Sequence, residues 1–110
     1  MARMRYDKLV RDRDRIPEII GADGRQFEVE HLDDDEWFRR ALRDKLLEEA
    51  TEAASATDAD LATELADLQE VIGALIDAVG LTSEGVRQLQ ELRRRERGGL
   101  MRRLRLLRTE

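Results

Sequence analysis

Two short acidic groups, Glu48-Glu49-Ala50-Thr51-Glu52 and Glu64-Leu65-Ala66-Asp67, are the part of this chain best equipped for chemistry. In a helix, residues three and four apart share a face. Glu49 and Glu52 then stand one turn apart, and Glu64 and Asp67 repeat the arrangement. If the two segments pair antiparallel, four carboxylates meet in one cleft. Such a group repels itself unless protons or cations neutralise it. Hard oxygen ligands favour magnesium, manganese or calcium over zinc or copper.

At about 100° per residue, Lys45, Glu49 and Glu52 fall within about 60° of one another, with Glu48 on their flank. Glu64 and Asp67 are also about 60° apart, beside an apolar stripe. The acids therefore border a helix–helix seam. Acids at a seam are costly unless paired. The bland alternative is a solvated face, since Glu is a good helix former and Lys45, Arg40 and Arg43 are near enough to pair with it. Two acidic pairs on consecutive helices set this arrangement apart.

A magnesium held by one or two carboxylates keeps positions open for water and phosphate oxygens, which suits phosphoryl or nucleotidyl transfer. A di-iron bundle needs Glu-x-x-His on two helices, and His31 is the lone histidine, outside both acidic segments. No EF-hand loop or glycine-rich phosphate loop occurs. A polyphosphate also needs bases. Lys45 is on the right face, and Arg93 and Arg97 lie one turn apart further along. Lys8 and Arg11 are candidates nearer the start. Each of these bases also reads as an ordinary exposed side chain.

The elements that must position these residues are helices. Asp33-Asp34-Asp35 supplies an N-cap and a negative first turn for a helix from about Asp34 to Ala54. Trp37, Phe38, Ala41, Leu42, Leu46, Ala50 and Ala53 form its apolar side. A second helix from about Ala59 to Val79 carries a stripe of Leu61, Leu65, Leu68, Ile72, Leu75, Ile76 and Val79, and Gly80 stops it. Thr82 caps a third helix, with Val86, Leu89 and Leu92 apolar, which runs to about Arg97 and ends at Gly98-Gly99. Ile16 to Ile20 reads as a short helix with Pro17 in its first turn. Gly21 to Gly24 reads as a turn. The alternation in Phe27 to His31 and in Leu100 to Arg108 suggests two strands pairing in a small sheet.

Composition agrees with an all-α bundle. Of the 110 residues, 41% are hydrophobic and 41% charged, with only one Pro. That length allows a single domain. The core is thin for a monomer, so burial at a subunit interface is expected. There are no cysteines, which excludes disulfides, thiol nucleophiles and Cys-zinc sites. No apolar run approaches the ~20 residues of a membrane span and no signal peptide is visible, so a cytoplasmic location without membrane contact is expected. The net charge of −5 is uneven. Residues 87–110 hold nine Arg and three Glu, a balance of +6, so the rest carries −11. The basic tail reads as a solvated helix face, a phosphate-facing element or a nucleic-acid contact.

Lys45 to Glu52 followed by Glu64-Leu65-Ala66-Asp67 resembles the Glu-Glu-x-x-Glu … Glu-x-x-Asp signature of the MazG-like all-α nucleoside triphosphate pyrophosphohydrolases. Tyr6 to Asp12, Arg15 to Ile20, Glu64 to Leu75 and Arg97-Gly98-Gly99 are similar to a small single-domain subgroup, often labelled phosphoribosyl-ATP pyrophosphohydrolase-like. The resemblance spans nearly the whole chain. It implies a magnesium-dependent hydrolase, with manganese as a substitute, that cuts between the α- and β-phosphates and gives a monophosphate and pyrophosphate. By position, Glu49, Glu52, Glu64 and Asp67 would be the metal ligands. Glu48 would be a further ligand or would orient the attacking water, and Lys45 would face the phosphates. The family fold is a helical bundle that assembles as a dimer or tetramer. The chain departs from the subgroup at Arg13-Asp14, which is inserted, at Arg93, where Lys is frequent, and at Leu100, where an aromatic is frequent.

Three readings follow. The first is a magnesium-dependent nucleotide pyrophosphohydrolase, a self-associating protein for which nucleic acid is not an expected partner. The second is a true phosphoribosyl-ATP pyrophosphohydrolase of histidine biosynthesis. The third is a non-catalytic helical oligomer whose Arg-rich tail binds nucleic acid.

Overall fold

A cap made by a single carboxylate sets the start of the first long helix. Asp34 Oδ1 accepts a hydrogen bond from Trp37 N at 3.0 Å, and Asp35 and Glu36 place negative charge in the first turn. This helix, α1, spans Asp35–Ser55. It belongs to a computed structural model that describes Ala22, Gly24, His31 and residues 33–110. A second helix, α2, spans Asp58–Ala78, and a third, α3, spans Ser83–Arg97. The described residues are thus all-helical, with no strand among them. None of these helices is long and apolar enough to cross a membrane. The expected short helix at Ile16 to Ile20 lies outside the described residues, and of the expected strand at Phe27 to His31 only His31 is described, without strand structure. Of the expected turn at Gly21 to Gly24, Gly24 sits in a turn with φ 76°, but Ala22 is helical, so the turn does not span the segment.

The chain divides into two compact units, Met1–Gly80 and Leu81–Glu110. In the first, α1 packs against α2. The two are joined through Ala56 and Thr57 alone, which forces the chain back on itself. Arg39, near the start of α1, donates from Nε to the Ala78 carbonyl at the end of α2, at 3.1 Å. This contact identifies the pair as antiparallel and satisfies one of the carbonyls that a helix end leaves open. At the other end, Thr51 and Ser55 donate to the carbonyls of Leu47 and Thr51, at 2.8 and 2.6 Å. Thr57 spends its hydroxyl on Asp60 Oδ2, at 3.2 Å, and does not cap α2 with it.

The side of α2 that meets α1 differs from the stripe expected from the sequence. Val71 is its buried residue. Leu61, Glu64, Leu68, Leu75 and Ala78 are half-buried, in steps of three and four that pass through Val71. That spacing is the seam of an antiparallel helix pair. Leu65, Ile72 and Val79, seven residues apart, face solvent. On α1 the corresponding line is Leu42, Lys45 and Glu49, all buried. Trp37, expected on the apolar side, is 63% exposed. The packed stripe is narrower than the apolar face because one partner helix covers only part of a helix circumference.

In the second unit, Thr82 Oγ1 accepts from Gly85 N at 3.0 Å and caps α3. Glu84 lies in its first turn and Arg94, Arg95 and Arg97 in its last, both favourable to the helix dipole. Gly98, with φ 79°, ends it. The expected strand within Leu100 to Arg108 is not formed. Arg103 N donates to Leu100 O at 3.1 Å in a turn. Arg103 itself has φ 62°, a left-handed conformation that interrupts extended backbone. From there to Glu110 the chain has no regular structure.

Candidate metal centre

The antiparallel α1–α2 pair brings the two acidic groups together. One carboxylate oxygen each from Glu49, Glu64 and Asp67 lies within 4.8 Å of the others, and so do oxygens from Glu48, Glu49 and Glu52. Glu49 is the shared corner of the two triads. The first triad draws on both helices and forms only if their register is right. The second lies within α1 and follows from helical spacing alone. Among the described residues these groupings contain no acid beyond the five noted in the sequence. His31 is exposed and belongs to neither.

Burial separates these acids. Glu49 is 4% exposed and buried within the α1 line of the pair. Glu48, Glu52, Glu64 and Asp67 are half-buried. Burial pushes the Glu49 carboxyl above its ordinary value. Lys45 opposes this, while Glu52 and Asp67 add to it by like-charge repulsion. Lys45 is itself 7% exposed. Its Nζ lies 3.2 Å from Glu49 Oε1 and 3.7 Å from Glu48 Oε1. The first distance is that of a hydrogen bond, but the angle is not, and the ammonium has no aligned acceptor. The contact is therefore a charge pair held by i,i+4 spacing.

Two carboxylate oxygens in the centre, Glu49 Oε2 and Glu64 Oε2, are buried without a hydrogen-bond partner. A buried polar atom left unsatisfied costs on the order of 1–3 kcal/mol, and more when charged. Exposed acids tolerate proximity through water, whereas these two are shut away from it. The donor set is all carboxylate, which matches a hard cation such as magnesium or manganese and not a soft one. Either triad could hold a hard divalent cation, Glu49, Glu64 and Asp67 across the two helices or Glu48, Glu49 and Glu52 within α1, and Glu52 is not grouped with Glu64 and Asp67.

The basic candidates fare differently. Lys45 is part of the centre, though it faces carboxylates and does not project freely. Arg93 and Arg97 lie exposed on α3, in the second unit. Lys8 and Arg11 lie outside the described residues. The sequence signal for the buried pair was the Lys-to-Glu spacing of four. Nothing in that spacing distinguishes a buried pair from an exposed one. Comparison with protein-family models, curated proteins and solved structures finds no match to this chain.

Proposed function

We infer that this protein is a magnesium-dependent nucleotide pyrophosphohydrolase. It cleaves a nucleoside triphosphate, or a related nucleotide, between the α- and β-phosphates to a monophosphate and pyrophosphate. The observation that carries the cation half of this reading is Glu49, a buried carboxylate shared by two triads and with one oxygen unpartnered. The choice of bond rests on the ordered resemblance of Lys45 to Glu52 and Glu64 to Asp67 to the MazG-like enzymes.

A bound divalent cation supplies charge neutralisation for the polyphosphate and makes a water molecule easier to deprotonate. The protein does the rest. Glu49, Glu52, Glu64 and Asp67 fix where that charge sits, on two helices held in one register. Glu48, half-buried at the rim of the group, orients the attacking water and receives its proton. The water oxygen bonds to phosphorus as the bridging P–O bond breaks, and pyrophosphate leaves with the electron pair. Arg93, Arg97, Lys8 and Arg11 are the further bases proposed to meet the phosphates. Self-association as a dimer or tetramer is proposed on the exposed line of Leu65, Ile72 and Val79.

The reading is tested by following pyrophosphate release with and without magnesium in wild-type protein and in Asp67→Asn. Wild-type activity should vanish on chelation and fall about a hundredfold or more in the variant. Retention of full activity in Asp67→Asn would contradict it. Including phosphoribosyl-ATP in the panel separates the histidine-pathway alternative, which requires a clear preference for that substrate. One observation favours the nucleic-acid reading, namely that α3 exposes Arg93, Arg94, Arg95 and Arg97 along one helix. That reading demands binding that falls steeply with salt and is lost on replacing Arg93, Arg94 and Arg95.

A further inference from the structure

We propose that Lys45 is a resident counter-ion of the carboxylate centre, which a divalent cation must displace from Glu49. Lys45 thereby holds the metal-free site together and at the same time weakens metal binding. The proposal rests on the metal-binding reading above.

Glu49 is common to both triads, so a cation entering either one draws on its carboxylate. One of its oxygens is already 3.2 Å from the Lys45 ammonium. The other is buried and unpartnered. A dication taken up by that carboxylate would stand beside a buried positive charge, in surroundings where water screens poorly. The two cations compete for one anion. The ammonium is the one able to move, because it sits at the end of a flexible four-carbon stem. Its second contact, to Glu48, is longer, at 3.7 Å.

In the metal-free protein the same ammonium has a different effect. It pairs with both Glu48 and Glu49. Without it, Glu49 would lose its ion-pair partner while buried beside other carboxylates, which destabilises a fold more strongly than a surface pair can stabilise it. Lys45 is thus a positioning residue for the metal. It keeps Glu49 turned into the seam, then gives it up. Once displaced, its charge is free to meet an anionic ligand arriving with the cation.

Two measurements test this. The first is a titration with manganese alone, without nucleotide, in which free Mn²⁺ is read by electron paramagnetic resonance in wild-type protein and Lys45→Met. The proposal expects about tenfold tighter Mn²⁺ binding in Lys45→Met, a lower metal-free melting temperature and a larger rise on adding metal. Equal or weaker binding in the variant would overturn it. The second keeps the wild-type residue and covers the case in which Lys45→Met does not fold. The chain has only two lysines, Lys8 and Lys45, so selectively ¹³C-labelled lysine gives two side-chain signals, assigned with Lys45→Arg. Saturating magnesium should shift the Lys45 signal and narrow it toward that of a free lysine. An unmoved Lys45 signal at metal saturation would overturn the proposal while leaving the metal site standing. No Mn²⁺ binding by wild-type protein would instead remove the metal reading and the proposal together.

Discussion

Lys45 Nζ lies 3.2 Å from Glu49 Oε1, and both side chains are withdrawn from solvent within the α1–α2 pair. A helix pair in water normally fills its seam with apolar residues, because each buried charge costs free energy that only a partner offsets. Here two of the three buried residues of α1 are charged. They flank the place where acids from the two helices converge. Burial raises the proton affinity of Glu49, and the Lys45 ammonium limits that rise.

Replacing Glu49 with Gln keeps its size and removes its charge. We expect magnesium-dependent pyrophosphate release to fall by about two orders of magnitude or more, with the helical circular dichroism signal retained. Glu52→Gln, on the same helix, should show a smaller loss because Glu52 belongs to one triad only. A Glu52→Gln loss exceeding that of Glu49→Gln would contradict the shared-corner role.

The raised affinity of Glu49 for its proton carries a pH signature. A group whose folded value lies above its unfolded value favours the fold when protonated. In metal-free protein its contribution is complete below the ordinary value of 4.5 and is lost as pH rises through the raised folded value. The difference in unfolding free energy between wild-type and Glu49→Gln should move against wild-type across that interval. Magnesium binding in the same interval should release protons, seen as a dependence of calorimetric heat on buffer ionisation enthalpy. Binding without proton release would contradict the assignment.

Packing of the pair rests on few side chains. Leu42 is 5% exposed and Val71 8%. Leu42→Ala should cost about 2–4 kcal/mol in urea unfolding. Leu65→Ala, at a position 45% exposed, should cost under about 1 kcal/mol in a monomer. Because small domains have little stability in reserve, Leu42→Ala should also weaken metal binding by loosening the register of Glu49 against Glu64 and Asp67. Equal costs at the two positions would place the seam on the wrong stripe of α2.

Self-association is proposed on the exposed line of Leu65, Ile72 and Val79. Ile72→Lys should lower the mass measured by light scattering at micromolar concentration. An unchanged mass would remove this face from the proposed assembly.

The helices were legible because their ends are chemical. Asp34, Thr82, Gly80 and Gly98 mark boundaries that the structure places within about two residues of the expected ones. The meeting of Glu49 with Glu64 and Asp67 was legible because i,i+3 spacing and a short connection leave little freedom. The stripe of α2 that packs was not legible. Leu61, Leu65, Leu68, Ile72, Leu75 and Ile76 cover so much of the helix that periodicity alone admits more than one seam. The burial of Lys45 was hidden as well, since a lysine next to a glutamate is usually exposed. In the tail, the alternation of Leu104 and Leu106 with Arg103 and Arg105 suggested a strand. The left-handed backbone at Arg103 and the turn before it break that pattern.

The most direct test of the account is product identification by ³¹P NMR. Purified protein is incubated with magnesium and each standard and damaged nucleoside triphosphate in turn. At least one should be converted to monophosphate and pyrophosphate, with conversion abolished by chelation and by Glu49→Gln. No hydrolysis across the panel by folded wild-type protein, or conversion to nucleoside diphosphate and inorganic phosphate, would contradict the account.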